Sequence, residues 1–527
     1  MTKAYQQTTI SKFKGLRITD VLNNAALEDE EASICDNFNL TDMGTLQKRL
    51  GWVVRNEAIV PTIKSPAGMP AFTAPLAIRI LAIQRRSPTG SSPARVYFTD
   101  VNQSNLWCAD LPNITNVTII GTPTNTAMLG VEWMLELGTP SAPYQMKGCS
   151  TNSTPFGVTA ATPPTTGISG TGPFGTHMSV FKDRLFMINS VDATGLESRV
   201  NYSDSAIPPA LGTGVWPANN FFDINPGSGE FNVATIVFND QLVIFKNRST
   251  WVLTADGAPT QWIVRNLHPT LGCIGRGTPI IINGFIYFMS HDGVYRTDGT
   301  TFERISEPVD IYVKAFSTTN SASVLIRDAF YYDDKYILML PAIDGTNKTP
   351  LVYDTRLGVW TRWVNGGGPN IDLYGGIVYN DVTPARLYTG SRISPAIYSM
   401  GESIYLDDGD TYGCVWRSKR FTWGDPTKYK RNYMFMADVG YATSEASSSI
   451  VVTHSVDNIA ESAPHTPTVV GTVAVSMWDL SRKELKYKGA GYTRAMYTEV
   501  SYNGNQQFNL FSVSWLNEQR DVIKDSN

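Results

Sequence analysis

The feature that most constrains this chain is a strand-turn-strand pattern that recurs five times between residues 180 and 389. In each copy an apolar strand enters an Asn, Asp or Gly turn and a second apolar strand leaves it, which is the sequence signal of a β-hairpin. The turn residues are separated by 57, 44, 50 and 47 positions, and they are Asp183, Asp240, Gly284, Asp334 and Asp381. A period of this length is typical of a β-propeller.

A second hairpin signal follows each of the first four turns, and two hairpins per period give the four strands of one propeller blade. These second signals are RVNYSDS (199–205), TWVLTADG (250–257), GVYRTDG (293–299) and LVYDTRLGVW (351–360). An earlier unit spans 81–110, so the sequence predicts an all-β chain with a propeller of about six blades, and the irregular stretch 60–180 leaves room for a seventh. The alternative is a β-sandwich or two stacked β-domains, because short strands with turn signals are common to both.

Three regions are predicted along the 527 residues, since that length exceeds what one core serves. Residues 1–60 do not fit the repeat and are predicted as an N-terminal extension. Residues 61–400 form the propeller, and 401–527 form a C-terminal antiparallel β-sandwich-like domain whose strands lack the period. Between 138 and 176 the composition shifts to Ser, Thr, Gly and Pro, which predicts a long insertion at the propeller edge and a candidate subunit or partner contact.

A basic cluster, KYKRNY (428–433), precedes a strand of the last region. Lys and Arg commonly guard the exposed edge of a sheet, so a solvated strand edge is predicted here. Contact with a phosphate or an acidic partner is the alternative.

The net charge and the absence of targeting signals argue against several classes of function. The net charge is −4 with a pI of about 5.8, which argues against a nucleic-acid grip, since that would show a basic patch. The first 20 residues lack the apolar core of a signal peptide, and no apolar run reaches the length of a membrane span. We therefore expect neither export through a signal peptide nor a membrane-spanning segment.

Material for catalysis or metal binding is sparse, and the sequence predicts no enzyme, no cofactor, and no catalytic or metal-ligating residue. No HExxH, GxSxG, Walker-A or sialidase-type Ser-x-Asp-x-Gly-x-x-Trp pattern occurs. Asp407, Asp408 and Asp410 superficially resemble a calcium loop but lack the acid spacing and closing Glu of an EF-hand. Acids that recur at equivalent blade positions are explained by turn geometry: Asp204, Asp256, Asp298 and Asp354.

The positions of the histidines and cysteines in the sequence indicate no catalytic or metal site. Two histidines precede or occupy turn signals and are predicted as turn residues, His268 and His291. The remaining histidines are His177, His454 and His465. The cysteines are far apart, odd in number and without CxxC spacing, so isolated thiols are expected instead of a disulfide scaffold or a zinc site: Cys35, Cys108, Cys149, Cys273 and Cys414.

Two segments resemble a known family. ALEDEEASICDNFNLTDMGTLQKRLGW (26–52) resembles the start of tailed-bacteriophage virion proteins, which share an acidic stretch, an Asn-rich strand and a Gly-x-Leu-x-x-Arg-x-Gly ending; the matching residues are Leu27, Asp29, Glu31, Ala32, Asn37, Gly44, Leu46, Arg49 and Gly51. Residues 272–306 resemble a blade of phage tail nozzle and hub proteins, through Gly272, Gly275, Phe288, Met289, Ser290, Asp292, Gly293, Val294, Tyr295, Gly299, Ile305 and Ser306.

The C-terminal region is similar to the β-domain that follows the propeller in those proteins, through Tyr429, Ser455 to Asp457, Trp478 and Trp515. The resemblance implies a non-enzymatic tail nozzle of a short-tailed phage. It implies a six-fold homo-oligomeric ring below an adaptor attached to the portal, a tail fibre or tailspike as a further partner to test, and assembly in the host cytoplasm into the virion tail. Genomic DNA would pass the weakly acidic lumen without specific binding, because adhesive binding needs Lys and Arg to neutralise phosphates.

Two other functions stay open. A propeller that binds a glycan or receptor would use exposed aromatics, for which Trp216 and Trp262 are the candidates, although a core or edge role is the simpler prediction for each. A propeller glycosidase would need a carboxylate pair, and the sequence nominates none.

Overall fold

A computed structural model describes the chain at residues 5–18, 27–55, 78–84, 94–100, 106–112, 114–121, 128–135, 144–150, 156–159, 177–182, 184–188, 197–203, 217, 219–317, 328–340, 349–364, 373–391, 396–423, 430–441, 449–457, 468–474, 481–493 and 495–519. These residues are almost entirely β. Their helical elements are one α-helix, α1 (Asp310–Ser317), and two 3-10 helices at Pro259–Gln261 and Glu307–Val309. No helix among them is long and apolar enough to span a lipid bilayer.

The described part of the first 55 residues contributes short strands that join sheets formed by distant parts of the chain. They are β1 (Tyr5–Ile10), β2 (Ala32–Asp36), β3 (Phe38–Leu40), β4 (Leu46–Lys48) and β5 (Val53–Val54).

Seven successive antiparallel sheets follow, and they are the blades of a propeller. The first three contain β6 (Ile78–Gln84), β7 (Arg95–Asp100), β8 (Leu106–Asp110) and β9 (Thr115–Gly121); then β10 (Met128–Leu135), β11 (Tyr144–Ser150) and β12 (Phe156–Thr159); then β13 (His177–Phe181), β14 (Arg184–Ile188), β15 (Arg199–Tyr202) and β16 (Phe221–Asp223). The fourth and fifth contain β17 (Asn232–Phe238), β18 (Gln241–Lys246), β19 (Thr250–Thr254) and β20 (Ile263–His268); then β21 (Ile280–Ile282), β22 (Phe285–Met289), β23 (Val294–Thr297) and β24 (Phe302–Arg304). The sixth contains β25 (Asp328–Tyr332), β26 (Lys335–Leu340), β27 (Thr349–Asp354) and β28 (Val359–Arg362), and the seventh β29 (Leu373–Tyr379), β30 (Arg386–Ser391) and β31 (Tyr398–Met400).

Turn chemistry explains the first hairpin of three blades. The two turn residues of the fourth blade, Asn239 and Asp240, both have positive φ, at 47° and 57°. The fifth and sixth blades repeat this with Asn283-Gly284 and Asp333-Asp334. A two-residue turn with both residues left-handed matches the twist of the flanking strands, and Asn, Asp and Gly are the residues that tolerate it.

The seven blades close into a ring. The first strand of the last blade, β29, packs against the first strand of the first blade, β6. The fourth strand of the seventh blade is β5, which pairs with β31 through Tyr398 opposite Val54. The N-terminal segment therefore completes the last blade, and strand pairing between distant parts of the chain helps to close the ring.

Seven further strands form the C-terminal domain: β32 (Gly413–Ser418), β33 (Lys430–Tyr441), β34 (Ser449–Asp457), β35 (Thr468–Ala474), β36 (Ser481–Thr493), β37 (Ala495–Asn503) and β38 (Phe508–Gln519). One sheet has the order β3-β4-β38-β33-β36, with β1 also paired to β38. The other has the order β2-β32-β37-β34-β35 and continues into the sixth blade, because β2 lies parallel to β28.

Aromatic side chains from several strands fill the space between these two sheets. The Trp515 ring lies 5.4 Å from Phe435 and 4.8 Å from Phe421, and Tyr502 stacks on Phe508 at 4.5 Å between centroids. Trp416 is also fully buried in this core. The domain is a β-sandwich whose sheets are completed by the N-terminal strands.

The all-β class, the propeller and the C-terminal β domain are confirmed, and three details of the sequence prediction are corrected. There are seven blades instead of about six, because 128–159 supplies the second blade. The insertion predicted for 138–176 contains two strands of that blade, Tyr144–Ser150 and Phe156–Thr159, since backbone pairing tolerates Ser, Thr and Gly where neighbouring strands supply the partners; 160–176 lies outside the described residues.

The third correction concerns the basic cluster at 428–433. It does not guard a sheet edge, because β33 begins at Lys430 and pairs on one side with β36 and on the other with β38. Lys430 is 1% exposed. The guanidinium of Arg431 lies over the Tyr433 ring at 4.6 Å, so Lys430 and Arg431 both belong to a strand paired on its two sides.

Candidate functional site: the junction of the propeller and the C-terminal domain

A buried polar region lies where the N-terminal segment passes the connection from the seventh blade to β32. We call it the junction, and define it by Asn37, Lys48, Arg49, Gly51, Asp407 and Tyr412. Arg49 and Gly51 belong to the Gly-x-Leu-x-x-Arg-x-Gly ending singled out in the sequence. Asp407 and Tyr412 come from the connection that follows the last blade.

Arg49 is the centre of the junction. Its guanidinium donates two parallel hydrogen bonds to Asp407, Nη1 to Oδ1 at 2.9 Å and Nη2 to Oδ2 at 2.5 Å, and both side chains are almost completely buried. Its Nε donates to Asn37 Oδ1 at 2.9 Å, and its plane lies 4.0 Å from the Tyr412 ring centroid. A bidentate pair of this kind satisfies charge and geometry together. The Arg49 guanidinium therefore makes its contacts inside the protein, with Asp407, Asn37 and Tyr412.

Asn37 connects three elements through one side chain. Its backbone is left-handed, with φ at 59°, a conformation that Asn tolerates better than most residues. The side-chain Oδ1 accepts hydrogen bonds from Arg49 Nε and from the N–H of Val364 at 2.8 Å, while Nδ2 donates to the carbonyl of Gly413 at 2.7 Å. It thereby links the N-terminal segment, the sixth blade and β32.

Gly51 is required by a close backbone approach. A Cβ at this position would lie 1.9 Å from the carbonyl oxygen of Leu406. The Gly51 N–H donates to the Ile404 carbonyl at 2.7 Å, and the Asp408 N–H donates to the Trp52 carbonyl at 2.7 Å. The last Gly of the motif therefore lets the two chain segments run side by side.

Lys48 is a buried amine, the kind of group that enzymes use as a base or nucleophile. Burial lowers the pKa of Lys48 to about 8. Its Nζ donates to the carbonyls of Tyr412, at 3.2 Å, and of Gly504, and it lies 4.0 Å from the Tyr412 ring centroid. Two carbonyls and an aromatic face hold the ammonium in place, so these contacts give Lys48 a structural role in the junction.

The second motif of the sequence, in 272–306, also binds elements together. The Ser306 hydroxyl accepts a hydrogen bond from the Val294 N–H at 3.0 Å and donates to Asp310 Oδ1 at 2.9 Å, at the start of α1. A Cβ on Gly293 would lie 2.7 Å from Arg304 Nε and from Ser306 Oγ. The motif residues thus join the fifth blade to the helix that follows it.

The turn acids take the roles that turn geometry predicts. Asp298 Oδ1 accepts the N–H of Thr301 at 2.7 Å, and these backbone hydrogen bonds lower the pKa of Asp298. Asp354 Oδ1 accepts the N–H of Leu357 at 3.0 Å. Asp256 is exposed and shares Lys182 with Asp240: the Lys182 Nζ lies 3.6 Å from Asp256 Oδ1 and 2.7 Å from Asp240 Oδ2. These ion pairs connect the turns of the third and fourth blades.

Of the two histidines predicted in turns, His291 lies in one, whereas His268 is the last residue of β20 and pairs with Thr250, so that prediction is wrong for His268. The ring of His268 packs edge-on against Phe302 at 4.9 Å, and its Nδ1 accepts the Thr270 N–H at 3.3 Å. His291 is exposed in the turn closed by the hydrogen bond from the Ser290 N–H to the Gly293 carbonyl at 2.8 Å.

The other described histidines lie inside sheets. His177 Nδ1 is 3.1 Å from Thr235 Oγ1, between the third and fourth blades. His454 is buried in the C-terminal domain with Nδ1 2.9 Å from Thr498 Oγ1, and burial lowers the pKa of His454 to about 4.

Neither a metal site nor a sugar-stacking surface emerges from the candidates that the structure describes. No group of three or more His, Cys, Asp or Glu side chains suited to a metal occurs in the described ranges. Asp407, from the calcium-like loop, forms an ion pair with Arg49 through both carboxylate oxygens. Trp262 packs inside an aromatic cluster, 4.7 Å from Tyr202 and 5.6 Å from Phe186, as the core or edge prediction expected.

The cysteines whose side chains the structure describes are all buried: Cys35, Cys273 and Cys414. Burial raises the pKa of Cys414 to about 12, so this thiol is unreactive at neutral pH. The predicted residues that lie outside the described part of the chain, or whose side chains do, are Cys108, Cys149, Asp183, Asp204, Trp216, Tyr429, Ser455 to Asp457, His465 and Trp478.

A cleft of about 170 Å³ opens beside the junction, between the Asp333 turn and the β3–β4 hairpin. It is smaller than the roughly 300–1,000 Å³ of common ligand pockets. Lys335, on its wall, is held by the side chain of Asp333 at 2.7 Å.

Sequence reasoning found Arg49 and Gly51 through the motif but missed their partners. Asp407 lies 358 positions from Arg49, and its neighbours in the sequence suggest only a calcium-like loop. Tyr412 carried no signal at all. The one clue was the combination of an Arg and closely spaced glycines in a segment that did not fit the repeat.

No known family model matches this sequence, and no curated protein matches it either. Among solved structures, the extracellular domain of the putative one-component system BT4673 from B. thetaiotaomicron is similar with a TM-score of 0.41 and 10% identity, covering 80% of this chain and 49% of that chain. This chain thus spans about half the length of that domain. The Neurospora crassa Pan2 WD40 domain is similar with a TM-score of 0.38 and 10% identity, covering 69% of this chain and 97% of that chain. The chain itself is an all-β protein built on a β-propeller.

Proposed function

We propose that this chain is a structural virion protein, the tail nozzle of a short-tailed bacteriophage, which forms a ring-shaped DNA exit channel below the adaptor on the portal. The observation that carries the proposal is the role of the residues that resemble phage tail proteins. Asn37, Arg49 and Gly51 hold the N-terminal segment against both the propeller and the C-terminal domain, and Gly293 and Ser306 tie a blade to α1.

A nozzle needs this kind of construction because DNA under pressure passes through it. Regions joined only by a flexible linker would move independently, as domains with small interfaces do by default. Here the N-terminal strands pair within both C-terminal sheets and within the seventh blade. Separating the propeller from the C-terminal domain would therefore require breaking strand pairs as well as the buried Arg49 and Asp407 pair.

Charge supports the same proposal. With a net charge of −4, a ring of such chains has no excess of Lys and Arg to neutralise phosphates. Duplex DNA binds adhesively in proportion to the number of phosphates neutralised, so this ring would let DNA slide.

Immunogold electron microscopy of phage particles, with an antibody raised to this chain, tests the proposal. We expect label confined to one vertex, at the tip of a short tail. Particles probed with pre-immune serum are the control. If the chain is absent from particles and found free, the nozzle proposal is wrong, and glycan binding and hydrolysis become the functions to test.

A further inference from the structure

The outer strand of the fourth blade, β20, is exposed along most of its length. Ile263, Val264, Arg265 and Asn266 are all exposed, although neighbouring residues of a strand point to opposite faces. Ile263 is 62% exposed and Val264 36%. Among the strands that the structure describes, β20 pairs with β19 alone, so its other edge presents backbone groups that no described strand pairs.

The other outer strands whose side chains the structure describes are protected. β16 and β24 have three residues each, and each has an acidic side chain in an ion pair, Asp223 with Arg199 and Glu303 with Arg296. β28 is covered by β2, and β5 has two residues. Propeller edges are normally short and protected, and monomeric proteins blunt longer ones with Lys or Pro. The six residues of β20 contain neither Lys nor Pro, and they begin with Ile-Val.

The charges beside this edge are unbalanced. Arg265 lies in β20, and Arg248 lies in the turn before β19, next to the end of β20 at His268. Within the described part of the chain neither arginine has an ion-pair partner. Both are exposed. The edge therefore combines exposed apolar side chains with two uncompensated positive charges.

A complementary surface occurs elsewhere on the same chain. Glu28, Asp29 and Glu30 form an acidic turn, with side chains 60%, 55% and 40% exposed. Glu307, 74% exposed, lies on the same surface because Arg17 bridges Glu307 and Glu31. The cations there, Lys14, Arg17 and Lys419, number three against five carboxylates, so the acidic turn stays net negative.

We propose that β20 of one copy binds the acidic turn of the next copy, as the repeating contact of the ring. Two different surfaces of one chain would meet, which is the heterologous contact that generates a ring when its rotation closes. Ile263 and Val264 would be covered, and Arg248 and Arg265 would gain carboxylate partners. The inference rests on the proposed function, because it names the surfaces through which the nozzle ring assembles.

The test compares full-length variants by size-exclusion chromatography with light scattering and by negative-stain microscopy. Ile263→Lys and Arg265→Glu are expected to weaken assembly at least tenfold. Ile281→Lys changes a comparably exposed isoleucine, 41%, in another blade and should assemble like the wild type. Circular dichroism checks that each variant is folded, since these side chains are exposed.

A charge exchange tests the partner surface. Glu30 has the longest contact of the acidic turn, 3.5 Å to Lys14, so Glu30→Arg disturbs the fold least. Combined with Arg265→Glu, it should recover most of the assembly lost by Arg265→Glu alone. A double variant that assembles no better than the single one contradicts the acidic turn as the partner.

Other outcomes separate this inference from the nozzle proposal. If Ile263→Lys and Arg265→Glu form rings like the wild type, β20 is not the contact between copies. The proposal that the chain forms a ring is unaffected by that result. If wild-type protein stays monomeric at all concentrations but immunogold label marks the tail tip, the inference fails and the nozzle proposal survives. Absence of label from particles overturns the proposed function itself.

Discussion

Arg49 and Asp407 lie 358 positions apart and meet as a bidentate ion pair, with side chains only 1% and 4% exposed. Arg49 follows β4 of a C-terminal sheet, and Asp407 follows the last blade. The pair therefore links the two ends of the propeller to each other and to the C-terminal domain. Because each charge is buried, each depends on the other for its electrostatic compensation.

Removing one member of this pair is expected to be costly. Asp407→Asn leaves the buried Arg49 guanidinium without its counter-charge, and breaking a buried pair from one side costs about 3–5 kcal/mol. Chemical denaturation followed by tryptophan fluorescence measures the loss. Asp410→Asn, at an exposed acid of the same loop, is the matched control and should change stability by less than about 0.5 kcal/mol. Equal effects of the two substitutions would contradict the role given to the pair.

Gly51→Ala should also destabilise the junction. The added methyl would lie 1.9 Å from the Leu406 carbonyl oxygen, so the two backbone segments must separate, at a cost of about 1–3 kcal/mol or more. Gly413→Ala is the control, since no atom lies within 4 Å of a Cβ there. Amide hydrogen exchange in 404–412 measures the local effect. Unchanged protection in Gly51→Ala would show that the contact does not constrain this loop.

The sequence predicted the blades well where local chemistry decides the structure. Asn239-Asp240 and Asn283-Gly284 are two-residue turns whose residue types favour positive φ, and the strands that flank them are strongly apolar. Local rules of this kind act over a few residues and can be read directly. The second blade was missed because 138–176 is rich in Ser, Thr, Gly and Pro, and its strands depend on pairing with neighbours.

The junction was only half visible for a similar reason. Arg49 and Gly51 stand in a motif, but Asp407 is a partner by tertiary contact alone, and no spacing rule connects residues so far apart. The basic cluster before β33 was misread because Lys430 carries a charge that usually marks exposure. In the fold this strand is central, and the strands on its two sides come from later in the chain.

Stability at acid pH should depend on His454. Burial lowers the pKa of His454 to about 4, against an ordinary value near 6.5. Between these two pH values the imidazole is therefore protonated in the unfolded chain and neutral in the native state. Stability must then fall as pH drops from 6.5 to 4, by about 3 kcal/mol for this group. His454→Gln should flatten that part of the curve in denaturation series at fixed ionic strength. His268→Gln, at the edge of the propeller, is the control, and an unaltered slope in His454→Gln would refute the assignment.

Raising the pH should increase the stability that Lys48 contributes, whereas a lysine in an ion pair loses its contribution when it is deprotonated. Burial lowers the pKa of Lys48 to about 8, so between pH 8 and 10.5 the native state has released a proton that the unfolded chain still holds. Stability contributed by this residue therefore rises with pH across that window, by about 3 kcal/mol, and the full burial penalty applies below pH 8.

Lys48→Met removes this titration. The difference in unfolding free energy between wild type and Lys48→Met should shift in favour of the wild type as pH rises from 8 to 10, while tyrosines and other lysines cancel in the comparison. Lys12→Met, at an exposed lysine, is the control. A difference that stays flat for Lys48→Met would mean that the Tyr412 and Gly504 carbonyls compensate the ammonium fully, and that the junction tolerates its charge without cost.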